Sequence, residues 1–515
     1  MAVRPFSNEP VVDFRQEANA KSMRTAIEKV RGELGREYDL VIGGKRSRTS
    51  DKIRSLNPAR PSEVVGVHQK AGVEHVEPVM QAALAAFESW KNVPVEERAG
   101  LLLRTAEIIR NRKPEFNAWM VLEVGKNWDE AEADTCEAID FLEFYARLAL
   151  HMADAKPAVQ LPGERDALRY IALGVGAVIP PWNFPLAIMC GMTVASVVCG
   201  NAVVLKPSSD SPTIAAKFFE ALEEAGLPPG VVNFCPGSGA TFGNGLVEHP
   251  KTRFIAFTGS RDVGLDINVR AAQHRRGQLW IKRTILEMGG KDSIVVAADA
   301  DLDAAVEGVA ASAFGFQGQK CSACSRAIVD ASLYDRFLEK LQARVAKISI
   351  GDPAENAAAG PVINAGAMKS ISDYIAIGAK EGRVIAGGNR VPGDGYFLEP
   401  TVIADIPPSA RLAQEEIFGP VLAVMRASDF DNALAIANNT EYGLTGSIYS
   451  ASPQQIERAR NEFYVGNLYI NRKCTGAIVG AHPFGGFNMS GTDSKAGGPD
   501  YLYLFSQAKS IAEKL

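Results

Sequence analysis

The chain has 515 residues, which predicts about three domains at roughly 150 residues per domain. Hydrophobic residues make up 46% and charged residues 22%, values typical of soluble globular proteins, which excludes a largely disordered or fibrous chain. The formal net charge is -5 and no basic cluster is suited to follow a phosphate backbone, so we expect no nucleic-acid partner.

The N-terminal residues mix acidic and basic side chains without an apolar core, unlike a signal peptide or a transit peptide. The seven cysteines are an odd number spread over a long chain, which favours reduced thiols over a disulfide framework. We therefore expect a cytoplasmic protein.

Residues 22–148 are predicted to be mostly helical, with a strand-like patch at 39–42. The predicted helices are Val76–Trp90, Val95–Arg110 and Ala131–Leu148. On the second of these, apolar residues recur at helical spacing, a pattern typical of core contacts rather than of a ligand site.

An uncharged run of thirty-five residues extends from Ile171 to Leu205 and exceeds the ~20 apolar residues that can span a bilayer. Prolines and a Gly-Asn pair interrupt it, which disfavours one membrane-spanning helix. The alternative is a strand, a proline-rich loop, a buried helix and a second strand, namely Val175–Ile179, 180–185, Leu186–Val198 and Ala202–Lys206. Uniformly apolar strands of this kind suit a parallel sheet that is covered on both faces.

Strands and helices continue to alternate, with strands at Val231–Phe234 and Phe254–Phe257 and helices beginning near Pro212 and Ser260. Short strands joined by helices predict a doubly wound sheet of the dinucleotide-binding type. A second α/β segment follows over about 289–480. Its predicted strands are Ile294–Val296, Ala327–Val329, Thr401–Ile403 and Leu444–Tyr449, and its predicted helices are Leu302–Phe316, Ser332–Ala346 and Asp431–Asn438.

Two pieces fit neither α/β segment: a hairpin-like stretch over Val159–Ala172 and the tail Gly497–Leu515. Exposed strand edges in these pieces are expected to pair with another subunit.

The six histidines lack the spacing of metal ligands, and the cysteines form one CxxC, with Cys321 and Cys324. A structural zinc site needs four ligands, so this single pair does not predict a metal. Lys320 adjoins Cys321, and a neighbouring cation favours the nucleophilic thiolate, although a small buried residue is the alternative.

Glu287 follows a predicted strand and precedes two glycines, a position suited to a mobile general base or to an ordinary turn residue. Asn183 lies between two aromatic residues in a proline-fixed loop. Its amide is suited to donate to an oxyanion, and a turn-forming asparagine is the alternative.

Seven motifs carry a family resemblance, in the order PWNFP, KPS, FTGSRDVG, LEMGGK, GQKCSA, EEIFGPV and HPFGGFNMSG. Together they resemble the aldehyde dehydrogenase superfamily across nearly the whole chain. GQKCSAC and the segment Thr475–Leu502 resemble in detail the 1-pyrroline-5-carboxylate dehydrogenase family.

The resemblance implies an α/β fold with two doubly wound domains and a small β oligomerisation element. It places an NAD(P)-binding domain at 1–158 and 173–288, a catalytic domain at 289–485, and the oligomerisation element at 159–172 and 486–515. A homodimer or a higher homo-oligomer is expected.

The resemblance also implies NAD-dependent oxidation of L-glutamate γ-semialdehyde to glutamate in proline and arginine catabolism. Cys321 is then the nucleophile, Asn183 an oxyanion donor and Glu287 the activator of water. The implied cofactor-binding residues are Pro181, Trp182, Lys206, Ser209, Gly237, Thr258, Gly259, Ser260, Gly264, Glu416 and Phe418. The implied substrate-binding residues are Glu137, Phe184, Lys320, Ser322, Gly476, Ala477 and Phe484.

Many NAD-specific relatives have an acidic residue where this chain has Ser209, so we expect NADP to be accepted as well as NAD. Glu287 disfavours a CoA-acylating or acyl-phosphate-reducing enzyme. Another ω-semialdehyde, such as succinate semialdehyde, remains an alternative substrate, and a silent structural relative is the non-enzyme alternative.

Cys324 is expected to be a packing residue, with a disulfide to Cys321 as the alternative. The chain length predicts a monofunctional enzyme that works with a separate proline dehydrogenase.

Overall fold

The computed structural model describes residues 4–154 and 159–515, so the predicted boundary at 158 lies outside the described residues. The helices are α1 Glu17–Arg31, α2 Val76–Trp90, α3 Val95–Asn111, α4 Lys113–Val124, α5 Trp128–Ala153, α6 Ala187–Val198, α7 Pro212–Glu224, α8 Asn244–Glu248, α9 Arg261–Ala272, α10 Leu302–Phe314, α11 Tyr334–Val345, α12 Ala365–Glu381, α13 Arg411–Gln414, α14 Phe430–Asn438 and α15 Pro453–Glu462. The strands are β1 Arg36–Tyr38, β2 Leu40–Ile42, β3 Lys45–Ser47, β4 Lys52–Asn57, β5 Arg60–Gln69, β6 Glu164–Ala172, β7 Val175–Ile179, β8 Ala202–Leu205, β9 Val232–Phe234, β10 Thr252–Thr258, β11 Arg283–Glu287, β12 Ser293–Val296, β13 Arg326–Asp330, β14 Arg383–Ala386, β15 Thr401–Ala404, β16 Val421–Ala427, β17 Tyr442–Gly443, β18 Thr445–Tyr449, β19 Asn467–Ile470, β20 Phe487–Asn488 and β21 Ser506–Lys514.

The first large sheet has seven strands in the order β11-β10-β7-β8-β9-β2-β3. Strands β7 to β11 are parallel, and the chain builds outward from β7 on one side before it crosses to β10 on the other. The strand order therefore reverses between β7 and β10. In open α/β sheets such a reversal leaves a crevice at the carboxyl ends of the strands, where a ligand binds.

The second large sheet also has seven strands, in the order β14-β15-β16-β13-β12-β18-β19, and only β14 is antiparallel to its neighbour. Side chains of β12 alternate between two cores: Ile294 and Val296 pack into one cluster, and Val295 packs into the other. Burial on both faces explains why these strands are continuously apolar. The expected α/β class with two doubly wound sheets is confirmed.

The uncharged run from Ile171 forms β7, a loop, α6 and β8, as expected. All but one residue of α6 are buried, and β7 and β8 are buried along their whole length. Burial inside the protein accounts for the absence of charge. Among the helices in the described ranges, none is long and apolar enough to cross a membrane.

The expectation of a mostly helical stretch over 22–148 is wrong in part, because it also contains β1, β3, β4 and β5. Strands β1, β5 and β4 form a three-stranded sheet, and β2 and β3 extend the first large sheet. These strands are short or interrupted by bulges, so their apolar alternation is weak in the sequence.

The stretch Val159–Ala172 is not a hairpin. Its strand β6 pairs antiparallel with β21, from Ser506 opposite Ala172 to Lys514 opposite Glu164. The sequence did not reveal this pairing because the partners lie more than three hundred residues apart. The two stretches expected to pair with another subunit thus pair with each other, and the domain boundaries at 172, 288 and 485 stay predictions.

Candidate active site

The loop that carries Cys321 leaves α10 through a tightly turned segment. Phe316, Gln317 and Gly318 have φ values of 47°, 55° and 65° in succession. Two non-glycine residues in the left-handed region are energetically costly and persist only where the surroundings enforce them. A side chain at Gly318 would collide with the carbonyl of Gly419, so glycine is required for this close approach. The result is a rigidly defined backbone just before the thiol.

Cys321 lies where two cavities meet. The first has a volume of about 660 Å³ and the second about 1330 Å³, including their openings to solvent. The first is lined by Glu137, Phe141, Tyr145, Phe184, Ile188, Gly191, Met192, Glu287, Cys321, Ser322, Gly476, Ala477, Phe484, Ala496 and Tyr501. The second is lined by Ile179, Pro180, Pro181, Trp182, Asn183, Lys206, Ser208, Ser209, Asp210, Gly239, Phe257, Thr258, Gly259, Ser260, Val263, Met288, Gly289, Cys321, Glu416 and Phe418. We call them the apolar cavity and the cleft. The thiol can therefore contact one compound in the apolar cavity and a second compound in the cleft.

Glu287 ends β11 and extends its carboxyl group into the apolar cavity. Burial raises the pKa of Glu287 to about 7, against the opposing effects of a hydrogen bond from Ser494 and the charge of Lys495. The Ser494 hydroxyl donates to Oε1 at 3.3 Å. A carboxyl group with a pKa near neutrality is matched to the role of a general base at physiological pH.

The Cys321 thiol has a pKa well above its usual value, because the half-buried residue is largely desolvated and because the carboxyl groups of Asp292, Glu287 and Glu416 are nearby. The expectation that Lys320 favours the thiolate is not supported. Its ammonium group lies 2.6 Å from Oε1 of Glu130, which compensates its charge. The resting group is therefore a thiol, and its activation needs a base.

Asn183 is buried in the loop between β7 and α6, and its Nδ2 donates to the carbonyl of Gln319 at 3.0 Å. A side-chain amide has a second N–H to donate. Within the described ranges, the backbone N–H of Cys321 has no protein acceptor. The Asn183 amide and this N–H therefore supply two free donors beside the thiol, an arrangement suited to an oxyanion.

The cleft lies at the carboxyl ends of β7, β8 and β10, where the sheet order reverses. Nine of the eleven predicted cofactor-binding residues line it, namely Pro181, Trp182, Lys206, Ser209, Thr258, Gly259, Ser260, Glu416 and Phe418. The other two lie next to the lining. Gly237 accepts a hydrogen bond from Lys206, and Gly264 lies in the first turn of α9, where a side chain would meet Met288.

Several polar groups in the cleft fit a dinucleotide. The buried ammonium of Lys206 donates to the carbonyls of Pro207 and Gly237, at 3.2 and 3.3 Å, and burial lowers its pKa to about 8. Glu416 accepts a hydrogen bond from the N–H of Gly290 at 3.0 Å. Ser260 precedes α9, whose N-terminal N–H groups face the cleft side, and such helix ends bind phosphate.

Six of the seven predicted substrate-binding residues line the apolar cavity, namely Glu137, Phe184, Ser322, Gly476, Ala477 and Phe484. Lys320 does not appear in the lining of this cavity within the described residues. Burial and the charge of Asp134 raise the pKa of Glu137 to about 8, so this residue is not an ordinary solvated carboxylate. The individual binding roles stay predictions.

The sequence motifs missed one face of α5 and one face of α6. Phe141 and Tyr145 line the apolar cavity four and eight residues after Glu137, and Ile188 and Met192 are four residues apart on α6. Residues spaced i, i+4 lie on one helix face. This spacing is the sequence feature from which these cavity-lining residues could have been predicted.

A basic residue near the turn at Gly476 was also missed. A side-chain carbon placed on Gly476 would lie 3.7 Å from Nζ of Lys473. It would lie equally far from Nη2 of Arg472, which donates to the carbonyls of Thr475 and Gly476. Lys473 precedes the segment Thr475–Leu502, which carries the family resemblance.

The part of the chain that the structure describes holds no group of three or more His, Cys, Asp or Glu side chains arranged to bind a metal ion. All seven cysteines are free thiols, and Cys324 is buried with its thiol 3.5 Å from the carbonyl of Arg326.

The sequence and fold match known proteins along nearly the whole of this chain. Residues 45–511 match the aldehyde dehydrogenase family. A 1-pyrroline-5-carboxylate dehydrogenase from Geobacillus thermodenitrificans is 57% identical over 512 residues, which covers 99% of each chain. The crystal structure of a 1-pyrroline-5-carboxylate dehydrogenase from Thermus with bound NAD has a TM-score of 0.99 at 52% identity, and each chain is covered completely. Proline utilization A from Bdellovibrio bacteriovorus has a TM-score of 0.98 at 46% identity. The match covers all of this chain and 54% of the proline utilization A chain. The chain therefore belongs to the aldehyde dehydrogenase family.

Proposed function

We propose that this enzyme oxidises L-glutamate γ-semialdehyde to L-glutamate, with NAD as the hydride acceptor. The observation that carries the proposal is the position of Cys321 between the apolar cavity and the cleft. The relatives named 1-pyrroline-5-carboxylate dehydrogenase support this substrate. Hydration opens the cyclic imine 1-pyrroline-5-carboxylate to this aldehyde.

The reaction begins with loss of the Cys321 proton, because burial keeps the thiol protonated. Glu287 lines the same cavity and is proposed to accept that proton. The thiolate then adds to the aldehyde carbon. The new oxyanion accepts hydrogen bonds from Nδ2 of Asn183 and from the N–H of Cys321.

NAD supplies the acceptor for the hydride that leaves the thiohemiacetal carbon, and a thioester on Cys321 remains. Glu287 passes the proton taken from the thiol to solvent, and its carboxylate then removes a proton from water, which attacks the thioester, releases glutamate and regenerates Cys321. The overall balance is aldehyde, NAD⁺ and water to carboxylate, NADH and two protons. The Glu287 carboxylate serves both proton transfers.

The substrate carboxylate is proposed to bind at Ser322, Gly476 and Ala477, with Phe484 and Phe184 against the aliphatic chain. The positive φ of Gly476, 80°, turns the backbone in this segment. Backbone N–H groups at such a turn approach an anion closely.

NADP is proposed as a second hydride acceptor. Residue 209 in the cleft is a serine, which has no negative charge to repel the 2′-phosphate of NADP.

A cytoplasmic location is proposed from the seven free thiols, which persist in a reducing compartment. A homo-oligomer is proposed because β6 and β21 form a two-stranded sheet whose outer edges pair with no other strand of the described residues. A separate proline dehydrogenase is proposed as the source of the imine.

Steady-state reduction of NAD and NADP tests the proposal with glutamate semialdehyde, succinate semialdehyde and propanal in parallel. Cys321→Ala serves as the blank. We expect kcat/KM to be highest for glutamate semialdehyde. A higher value for succinate semialdehyde would identify the alternative substrate, and no turnover of any aldehyde would identify a silent relative.

A further inference from the structure

A lysine outside the recognised motifs is buried beside the site. Lys126 lies in the short link between α4 and α5, and none of its surface is exposed. The preceding Gly125 has a φ of 73°, and a side chain there would lie 2.8 Å from Pro361. The link is thus fixed in a conformation that directs the lysine inward.

The ammonium group of Lys126 contacts three segments. Its Nζ lies 2.8 Å from Oδ2 of Asp134 on α5, and Asp134 is also fully buried. It lies 4.1 Å from the ring centre of Phe184 and 4.8 Å from that of Phe316. The contact with Asp134 is ionic rather than a well-aligned hydrogen bond. The two rings therefore provide the other stabilising contacts of the charge.

Both rings belong to the segments that carry the reacting groups. Phe184 follows Asn183 directly. Phe316 is in the left-handed turn five residues before Cys321. The Oδ1 atom of Asp134 accepts a hydrogen bond from the N–H of Ala187 at 2.7 Å, at the beginning of α6. One ion pair thus contacts the C-terminal part of the loop that contains Asn183 and one residue of the loop that contains Cys321.

We propose that Lys126 is a positioning residue that sets the distance between the Asn183 amide and the Cys321 backbone N–H, and thereby shapes the oxyanion site. Lys126 acts through Phe184, Phe316 and Asp134 and does not line either cavity in the described structure. This role rests on the proposed function, because it assumes that Cys321 adds to a carbonyl group.

The test needs a variant that removes the ion pair without leaving a buried charge. Lys126→Met alone would leave Asp134 unpaired in an apolar environment, which destabilises proteins strongly. Lys126→Met/Asp134→Asn is neutral and keeps an amide oxygen for the N–H of Ala187. The matched control is Lys113→Met/Glu132→Gln, which removes an ion pair of 2.7 Å between α4 and α5, outside both cavity linings.

Two reactions that need no cofactor separate oxyanion stabilisation from thiol reactivity. Acyl transfer from p-nitrophenyl acetate to Cys321 passes through a tetrahedral oxyanion and releases p-nitrophenolate. Alkylation of Cys321 by iodoacetamide forms a carbon–sulfur bond and releases iodide and a proton, with no oxyanion. A defect in positioning the two donors should slow only the first reaction.

We expect the neutral double variant to lose about ten- to hundred-fold in acyl transfer, the range for a displaced catalytic group or a lost oxyanion donor. Alkylation should stay within about two-fold, and the Lys113 control should retain both rates. Adding Asn183→Ala should cost much less in the double variant than in the wild type, because both changes impair one site. An unchanged acyl-transfer rate, or equal losses in both reactions, would overturn the proposal.

Phe316→Leu keeps the ion pair and removes one ring, so it tests the same role if the double variant does not fold. We expect a selective loss of acyl transfer of about three-fold, from the loss of one cation–π contact. Parallel losses in both reactions would again contradict the role of Lys126. Cys321→Ala must abolish both reactions, and acyl transfer that persists in this variant would refute the proposed function itself.

Discussion

The hydroxyl group of Ser494 donates a hydrogen bond to Oε1 of Glu287 at 3.3 Å, and both residues are buried. This bond stabilises the carboxylate, whereas burial opposes ionisation and raises the pKa of Glu287 to about 7. The balance between these two effects determines how much of the base is ionised at physiological pH.

Replacing Ser494 with Ala should move the acidic limb of the kcat profile to higher pH. Without the hydrogen bond the pKa of Glu287 rises, so a smaller fraction of the base is ionised at each pH below its pKa. A hydrogen bond worth about 1 kcal/mol corresponds to a loss of roughly five-fold in kcat at pH 6. Measurement of kcat from pH 5.5 to 9 checks this, with Ser494→Thr as the control that keeps the hydroxyl. An unshifted limb would show that another group controls the pH dependence.

Glu287→Gln should separate the two halves of the reaction. The amide can neither accept the thiol proton nor activate water, so turnover should fall by about 10² to 10⁴-fold, the usual contribution of a general base. If another base accepts the thiol proton, a rapid burst of NADH equal to the enzyme concentration should precede slow turnover. If Glu287 also performs that step, the burst should be slow and should accelerate at high pH. Stopped-flow absorbance distinguishes the two results, and undiminished steady-state turnover would exclude Glu287 as the base.

The sequence predicted the local parts of the site and missed its long-range contacts. Cys321, Glu287 and Asn183 belong to short motifs at the ends of predicted elements. The structure places Glu287 in the apolar cavity, Asn183 in the cleft and Cys321 in the lining of both. The ion pair of Lys320 with Glu130 was missed, because adjacency to Cys321 in the chain does not give the direction of a side chain. Lys126 was missed for a related reason, because its partners come from α5 and two distant loops.

Ser209→Glu should discriminate against NADP. The new carboxylate would lie in the cleft, where it repels the 2′-phosphate of NADP, and NAD has no charge at that position. Repulsion of about 1–4 kcal/mol at about 4 Å, between the bulk-water and near-surface values, predicts a rise of at least about five-fold in KM for NADP. The KM for NAD should stay within about two-fold. Ser209→Gln is the matched control for size, and an equal effect of Gln and Glu would indicate steric rather than electrostatic discrimination.

Lys473→Met should weaken binding of the substrate carboxylate more than Lys320→Met does. Lys473 lies close to the turn at Gly476, whereas the charge of Lys320 is compensated by Glu130 at 2.6 Å. Interactions with a charged group contribute about 1.5–3 kcal/mol, so KM for glutamate semialdehyde should rise at least ten-fold in Lys473→Met. Propanal has no carboxylate, and its KM should stay nearly constant in both variants. A larger and substrate-selective effect of Lys320→Met would instead assign the carboxylate anchor to Lys320, which would then have to leave Glu130 when the substrate binds.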